Sequence, residues 1–243
     1  MIGPRAALIL IGLSIMAATP SLAQQISLDL GEGPLLSTRV VQLLLLVTTL
    51  SIAPGLLMMI TCFPFIVTVL AILRMALGLQ QSPPNMLLIS LALFLTWYVM
   101  EPVFLEAWAI GIEPLNRGEM DAAQAIGAAM EPFRQFMAGR VDADTLAALQ
   151  ALREEPVTAP TATGYSVLIP AFMLSEVAHA FQIGFMIFLP FLIIDLVVAA
   201  VLMAMGMMMV PPAIVSLPFK LAFFVLADGW SLIAVALVRG YTT

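Results

Sequence analysis

The sequence predicts an all-α integral membrane protein with broken or hairpin-like transmembrane helices and a small helical extracytoplasmic subdomain. Hydrophobic residues occupy 62% of the 243 positions and the mean hydropathy is +1.09, values that soluble domains of this length do not reach. Charges are scarce, with nine basic and fifteen acidic side chains, and ten of the acidic ones lie between residues 101 and 155. Apolar runs flank this acidic stretch, so we expect membrane regions on both sides of it.

The first 23 residues have the composition of a secretory signal peptide. Arg5 is the basic group near the start, and residues 6–18 form a short apolar core. Ser21 and Ala23 supply small residues at the positions that a signal peptidase reads. We expect cleavage after Ala23; the alternative is an uncleaved first helix.

Residues 24–112 are predicted to form the N-terminal membrane helices. The 34 residues between Arg39 and Arg74 carry no charge. As one helix they would be about 51 Å long, against a hydrocarbon core of about 30 Å. We therefore expect Pro54 and Pro64 to divide this run into a broken or hairpin-like element.

A polar turn separates this run from the next apolar segment. Residues 80–85 read QQSPPN, and paired prolines among polar residues are typical of a turn. The apolar run of residues 86–100 follows, and we expect it to end at Glu101-Pro102. Arg74 borders the turn, which favours a cytoplasmic location for it.

Residues 113–164 are predicted to be an acidic helical region on the periplasmic side. Apolar residues recur there at spacings of three and four, as in an amphipathic helix. Pro132 is expected in the first turn of a second helix, and Asp142 or Asp144 is expected to cap a further helix. Residues 158–163 are expected to be a linker. The apolar face is predicted to contain Ala122, Ile126, Met130, Phe133 and Met137, and the further helix carries Leu146, Leu149 and Leu152.

Residues 165–243 are predicted to form the C-terminal membrane helices with a methionine-rich turn. The run from 165 to 210 is mostly apolar, and Pro211-Pro212 then stop a helix. The last apolar segment covers residues 213–238. Without the signal peptide, the chain thus has four apolar segments, arranged as two pairs around the acidic region.

Enzymatic chemistry is poorly supported by the sequence. The chain has one histidine and one cysteine, Cys62. It has no triad suited to nucleophilic catalysis and no glycine-rich phosphate loop. Cys62 is expected to fill apolar space, because a single cysteine forms no disulfide or thiolate metal site within one chain. The net charge of -6 without basic clusters argues against nucleic acid. We expect neither an enzyme nor a cofactor or metal.

Ionisable residues within the apolar C-terminal segments are candidate functional groups, because charges at membrane depth normally face protein or water. Glu176 and His179 are three apart on a predicted helix and form either a proton relay or a structural contact between subunits. Asp195, Lys220 and Asp228 form either an ion path or charge pairs that tie helices or subunits together. The sequence shows no internal repeat of the kind that transporters have, so we favour subunit packing.

The methionine-rich turn is the other candidate site. Met207, Met208 and Met209 follow Met203 and Met205 just before the paired prolines. Thioethers bind Cu(I), so a metal transporter is one interpretation, although no His or Cys lies near. Core packing is another. Because methionine is flexible and adaptable, we favour a third: Met207, Met208 and Met209 from several copies form a pore gasket that parts for a peptide.

Short motifs over most of the chain from residue 50 onward resemble the FliP family of flagellar biosynthetic proteins, the export-gate family that is also found in type III secretion injectisomes. Two motifs belong to the N-terminal membrane region and the rest to the C-terminal one, whereas the acidic region carries none. The motifs are LGLQQSPPN (77–85), LALFLT (91–96), AFQIGF (180–185), FLIIDLVV (191–198), MGMMM (205–209), SLPFK (216–220) and FVLADGW (224–230).

The resemblance implies a pore-forming subunit and no enzyme. Members of this family form a pentameric ring that joins FliQ and FliR into the export gate, with FlhA and FlhB as further export components. The gate belongs to the flagellar basal body in the bacterial inner membrane, in contact with lipid, and unfolded flagellar subunits leave the cytoplasm through it. Met207, Met208 and Met209 match the family's gasket at the pore constriction.

Two positions depart from the family pattern. Pro64-Phe65 stand where the family usually has a Thr-Arg pair, and Val177-Ala178-His179 stand where it commonly has Leu-Lys-Thr. Subunit contacts that those two cations make in relatives therefore do not carry over unchanged. The signal peptide favours the flagellar branch, with an injectisome subunit as the alternative and a small-solute or metal transporter behind it.

Overall fold

The computed structural model describes residues 35–79, 82–153, 158–207 and 209–242, and its regular elements are all helical. The predicted signal peptide and Met208 lie outside the described residues. The chain divides into two compact units, residues 1–50 and 51–243. The helices are α1 Leu35–Met59, α2 Phe63–Ala76, α3 Asn85–Ala107, α4 Glu113–Asn116, α5 Ala122–Ala138, α6 Ala143–Leu152, α7 Tyr165–Ala204, α8 Pro212–Leu226 and α9 Gly229–Thr242.

Three helical segments are long and apolar enough to cross a membrane. They are Val40–Met59, Asn85–Asn116 and Tyr165–Ala204. A fourth arises if α8 and α9, which meet at a bend of 63°, form one broken span. The fold class predicted from the sequence, an all-α membrane protein, is confirmed.

Helix α2 lies at the centre of the core of residues 51–243 and packs mainly against α7 and α3. Pro64 stands in its first turn, where the missing N–H leaves no helical hydrogen bond unmade. Gly184 of α7 permits a close approach, since a Cβ there would lie 2.4 Å from Cδ1 of Ile72. The buried side chains of α2 include Phe65, Ile66, Val69, Leu70 and Leu73.

The first apolar run is broken, but the predicted break at Pro54 is wrong. Helix α1 continues through Pro54 to Met59, and the break covers residues 60–62. The Thr61 hydroxyl donates to the carbonyl of Met58 at 2.8 Å and accepts from the N–H of Phe63 at 3.3 Å. One residue thereby satisfies backbone groups at the end of α1 and the start of α2. A proline inside a helix removes one hydrogen bond and bends it without having to end it.

The second apolar segment does not end at Glu101-Pro102 as predicted. Helix α3 passes through Pro102 to Ala107, and a π-helical turn, Trp108–Ile112, leads into α4. The wider π turn brings Gly111 against α5, where a Cβ would lie 2.8 Å from the carbonyl oxygen of Ala125. Close backbone packing of this kind requires glycine.

Pro132 lies inside α5, so the predicted helix start at this residue is wrong. The helix begins instead at a capping box, in which the Asp121 carboxylate accepts from the N–H of Gln124 at 2.8 Å. The Pro132 ring is buried, and burial of its apolar surface offsets the backbone hydrogen bond that proline cannot make.

The apolar face predicted for α5 is correct in its second half only. Phe133 and Met137 are buried, whereas Ile126 is 65% exposed and Ala122 is exposed as well. The close approach of Gly111 to the first turns of α5 turns a neighbouring face inward there. Packing against a glycine, which sequence periodicity does not register, sets the rotation of the helix.

Asp142 caps α6 as predicted. The N–H and the hydroxyl of Thr145 both donate to its carboxylate at 2.8 Å. These hydrogen bonds stabilise the ionised form and lower the pKa of Asp142 below its ordinary value. Leu146 is buried, but Leu152 is 80% exposed. The predicted linker contains a short 3-10 turn, Pro160–Ala162.

Helix α7 is one element of 40 residues that passes through Pro170 and Pro190. At 1.5 Å per residue it is about 60 Å long, twice the thickness of a hydrocarbon core. The last apolar segment, predicted as one piece, is divided at Ala227-Asp228 into α8 and α9.

Candidate functional site

Helix α7 ends in an exposed turn, which we call the methionine turn (residues 203–209). Gly206 has a φ of +75°, a left-handed conformation that glycine adopts without steric cost. The N–H groups of Gly206 and Met207 donate to carbonyls in the last turn of α7, both at 3.0 Å. This pattern is typical of a helix end that glycine terminates. Pro212 then stands in the first turn of α8. Gly206 and Pro212 therefore mark where α7 ends and where α8 begins.

The thioethers of the methionine turn point away from the core. The exposed fractions are 62% for Met203, 60% for Met205, 44% for Met207 and 98% for Met209. Met208 lies outside the described residues. The core-packing interpretation is therefore wrong for these four side chains within one chain. They form an apolar surface at the point where two helices meet.

Lys220 is buried on α8, which follows the methionine turn, and it contacts α7, which precedes the turn, as well as α2. Its Nζ donates to Oδ2 of Asp195 at 2.6 Å and to the carbonyl of Ala76 at 3.0 Å. Ser216 Oγ donates to Oδ1 of the same Asp195 at 2.6 Å. Because Ala76 is the last residue of α2, the ammonium also faces the negative end of that helix dipole. We call this group the Lys220 clamp.

Glu176, which is 1% exposed, belongs to a second charged group. Its Oε1 accepts from Nε of Arg140 at 3.1 Å, and its other oxygen accepts from the Tyr241 hydroxyl. The guanidinium also donates to the Gly240 carbonyl at 2.8 Å and lies 4.1 Å from the centroid of the Tyr241 ring. His179 Nδ1 lies 3.4 Å from Nη2 of Arg140. This Arg140 cluster connects the turn after α5 with α7 and α9.

Asp228 stands apart from both groups. It is exposed at the bend between α8 and α9 and has a φ of +47°. Few residues other than glycine adopt this conformation, and aspartate is among those that tolerate it best. Its predicted role in subunit packing stays a prediction.

The structure pairs Asp195 with Lys220 and brings Glu176 near His179. Both charged groups also include side chains that the sequence reasoning missed. Ser216 was detectable, because it precedes Lys220 by four residues and so shares its helix face. Arg140 and Tyr241 were not, because only the tertiary fold brings them to Glu176. The contacts described lie within one chain, so a role between subunits stays a prediction.

Known proteins are similar to this chain over most of its length. The model of the FliP family matches residues 46–237, a range that contains the methionine turn and the Lys220 clamp. The flagellar biosynthetic protein FliP of Caulobacter vibrioides is 52% identical, over 95% of this chain and 87% of the relative. That of Agrobacterium fabrum is 45% identical, over 96% and 98%. That of Bacillus subtilis is 46% identical, over 83% and 91%.

Proposed function

The chain belongs to the FliP family of flagellar biosynthetic proteins, and from this membership we propose that it is a pore-forming subunit of the flagellar protein export gate. It acts there as a conduit for unfolded flagellar subunits that leave the cytoplasm, and it has no catalytic role. Family membership favours this function over an injectisome subunit and over a small-solute or metal transporter.

The methionine turn is the observation that carries this proposal. Four thioethers are exposed at a helix reversal whose backbone is fixed by Gly206 and Pro212. Methionine side chains are flexible and apolar, so they fill irregular gaps and adapt to varied surfaces. Several copies of the turn around one axis would exclude water and ions at rest and would part for an extended polypeptide. Met207, Met208 and Met209 form the gasket in this proposal.

Exposed apolar surface supports a homo-oligomer with further membrane partners. Only 11% of the residues in the apolar part of α7 are buried within the chain. The corresponding share for the apolar part of Asn85–Asn116 is 22%. Exposed apolar surface of this extent marks contact with protein or lipid. We assign it to a pentameric ring, to FliQ and FliR, and to lipid of the bacterial inner membrane, with FlhA and FlhB as further components of the apparatus.

The two charged groups have a supporting role in this proposal. The Lys220 clamp fixes α7 against α8, and these are the two helices that present the methionine turn. The Arg140 cluster fixes the other part of α7 against α9. Glu176, Asp195 and Lys220 thus hold the shape of the subunit that packs against its neighbours, and Asp228 is assigned to a subunit contact at the bend.

Replacement of Met207, Met208 and Met209 together by alanine tests the gasket. We expect membranes that contain the variant complex to conduct small ions at rest, while the purified complex keeps its size. A matched control replaces three exposed methionines elsewhere, Met75, Met86 and Met186, and should leave conductance unchanged. Equal conductance of the gasket variant and the wild type in an intact complex would contradict the proposal.

A further inference from the structure

The Arg140 cluster contains the one histidine of the chain. His179 is half-buried on α7, with its ring centroid 5.4 Å from that of Phe65 on α2. Its Nδ1 lies 3.4 Å from Nη2 of Arg140. At this position a neutral imidazole presents a lone pair to the guanidinium, since an unprotonated ring nitrogen is an acceptor.

Arg140 holds the end of α9. Its guanidinium donates to the carbonyl of Gly240 at 2.8 Å and stacks at 4.1 Å over the Tyr241 ring. Glu176 completes the arrangement, because it accepts from both Arg140 and the Tyr241 hydroxyl. The docking of the last turn of α9 therefore depends on a correctly placed guanidinium, and His179 is one of the groups that place it.

Protonation of the imidazole reverses this contact. Nδ1 becomes a donor that faces a donor, and two cations then lie 3.4 Å apart in a partly buried site. Histidine is the side chain that ordinarily takes up a proton between pH 5 and 8. The carboxylate of Asp142 lines the same polar cleft of 390 Å³ as His179, Arg140 and Gln182, so it offers a protonated ring an anionic partner away from the guanidinium.

Several elements bring charged or titratable groups toward His179. Glu176 lies one turn earlier on α7, Arg140 and Asp142 lie between α5 and α6, and Tyr241 lies on α9. On the side of α2 the packed group is the Phe65 ring, and burial raises the pKa of the nearby Cys62 thiol to about 12. Hydrogen bonds from Thr145 lower the pKa of Asp142, which keeps that carboxylate ionised.

We propose that His179 and Arg140 form a proton-sensitive latch on the C-terminal helix: a neutral His179 keeps Arg140 on Gly240 and Tyr241, and a protonated His179 releases the last turns of α9. The latch is a positioning device and makes no covalent change. It does not depend on the export role, because it concerns the docking of α9 within one chain.

Hydrogen exchange of the purified full-length protein in its native complex tests the latch. After correction for the intrinsic pH dependence of amide exchange, we expect protection of residues 235–242 to fall about tenfold between pH 8 and pH 5.5, as for the loss of one hydrogen bond to a charged group. Protection of α2, residues 63–76, should stay constant. If protection of residues 235–242 in the wild-type protein is the same at pH 8 and at pH 5.5, the proposal is overturned, and no variant is needed for that result.

Two substitutions give opposite expectations. His179→Gln keeps a neutral acceptor and should hold the end of α9 protected at both pH values. His179→Lys places a permanent cation beside Arg140 and should leave the end of α9 weakly protected at both pH values. The latch is wrong if the glutamine variant responds to pH as the wild type does. His179→Asn serves as a second neutral variant if the glutamine variant does not reach the size and helicity of the wild type.

Discussion

At the scale of single residues, the Lys220 clamp shows why a charge can be kept in an apolar core. The ammonium is surrounded by the Asp195 carboxylate, the Ala76 carbonyl and the end of a helix dipole, and Ser216 satisfies the second carboxylate oxygen. Desolvation of two charges costs free energy that their attraction only partly returns. The ion pair therefore stabilises the fold little more than an apolar pair of similar size would. Removal of one partner, however, leaves the other charge unpaired and destabilises the fold.

Lys220→Met should lower the free energy of unfolding by about 3 kcal/mol, because it leaves Asp195 partly buried without its cation. Lys220→Met combined with Asp195→Leu should restore part of that loss. Thermal unfolding of the detergent-purified protein measures both. Arg117→Met is the matched control, since the exposed pair of Arg117 with Glu113 should contribute less than about 1 kcal/mol. A double variant that loses the sum of the two single losses would refute the pairing.

Asp142 should make α6 sensitive to acid. Hydrogen bonds from Thr145 lower the pKa of Asp142 in the folded state. The contribution of the ionised carboxylate to the stability of α6 is therefore present above the ordinary aspartate pKa, and it is lost as the pH falls through the lower, folded-state value. Between pH 5 and pH 3 the exchange protection of residues 143–147 should begin to fall. Asp142→Asn keeps an acceptor at the cap without a titrating group and should flatten this response, whereas Asp144→Asn should not.

At the scale of helices, the sequence was informative where a helix boundary depends on local chemistry. The Asp142 cap and the helix reversal at Pro211-Pro212 follow from side chains that satisfy or remove backbone groups within a few residues. The helix boundaries predicted at Pro54 and Pro132 are wrong, because a proline inside a helix removes one hydrogen bond, and whether the helix then ends depends on tertiary packing. The rotation of α5 depends on Gly111, which lies in the π-helical turn before it and packs against Ala125, a tertiary contact that helical periodicity does not encode.

Gly184→Ala tests the approach of α7 to α2. The added Cβ would lie 2.4 Å from Cδ1 of Ile72, and overpacking of this kind typically costs about 1–3 kcal/mol. The midpoint of thermal unfolding should fall, and a second change, Ile72→Ala, should cost less in the Gly184→Ala background than in the wild type. Gly127→Ala is the control, because nothing lies within 4 Å of its Cβ position and alanine is the better helix former by about 1 kcal/mol. Additive losses in the double variant would exclude the clash.

At the scale of the whole molecule, composition was enough to predict an all-α membrane protein, because uncharged runs of this length have no other stable environment. The positions of the candidate site residues along the chain were also predictable, since the methionine turn is marked by its own sequence. The partners of Glu176 were not, because a contact between residues 176 and 241 is a property of the tertiary fold. Exposure of the thioethers required the structure as well.

The length of α7 leads to a prediction about its position in the membrane. The helix is about 60 Å long and a hydrocarbon core is about 30 Å thick, so about half of it must lie outside the lipid. Single cysteines at Ser166, Phe185 and Ile193, all exposed in the chain, should divide accordingly: an impermeant maleimide added from the periplasmic side should label the first and leave the other two unlabelled until detergent is added. The native Cys62 provides no background, because it is buried and burial raises the pKa of its thiol. A Ser166→Cys variant that stays unlabelled before detergent would place the start of α7 inside the lipid and overturn the predicted orientation.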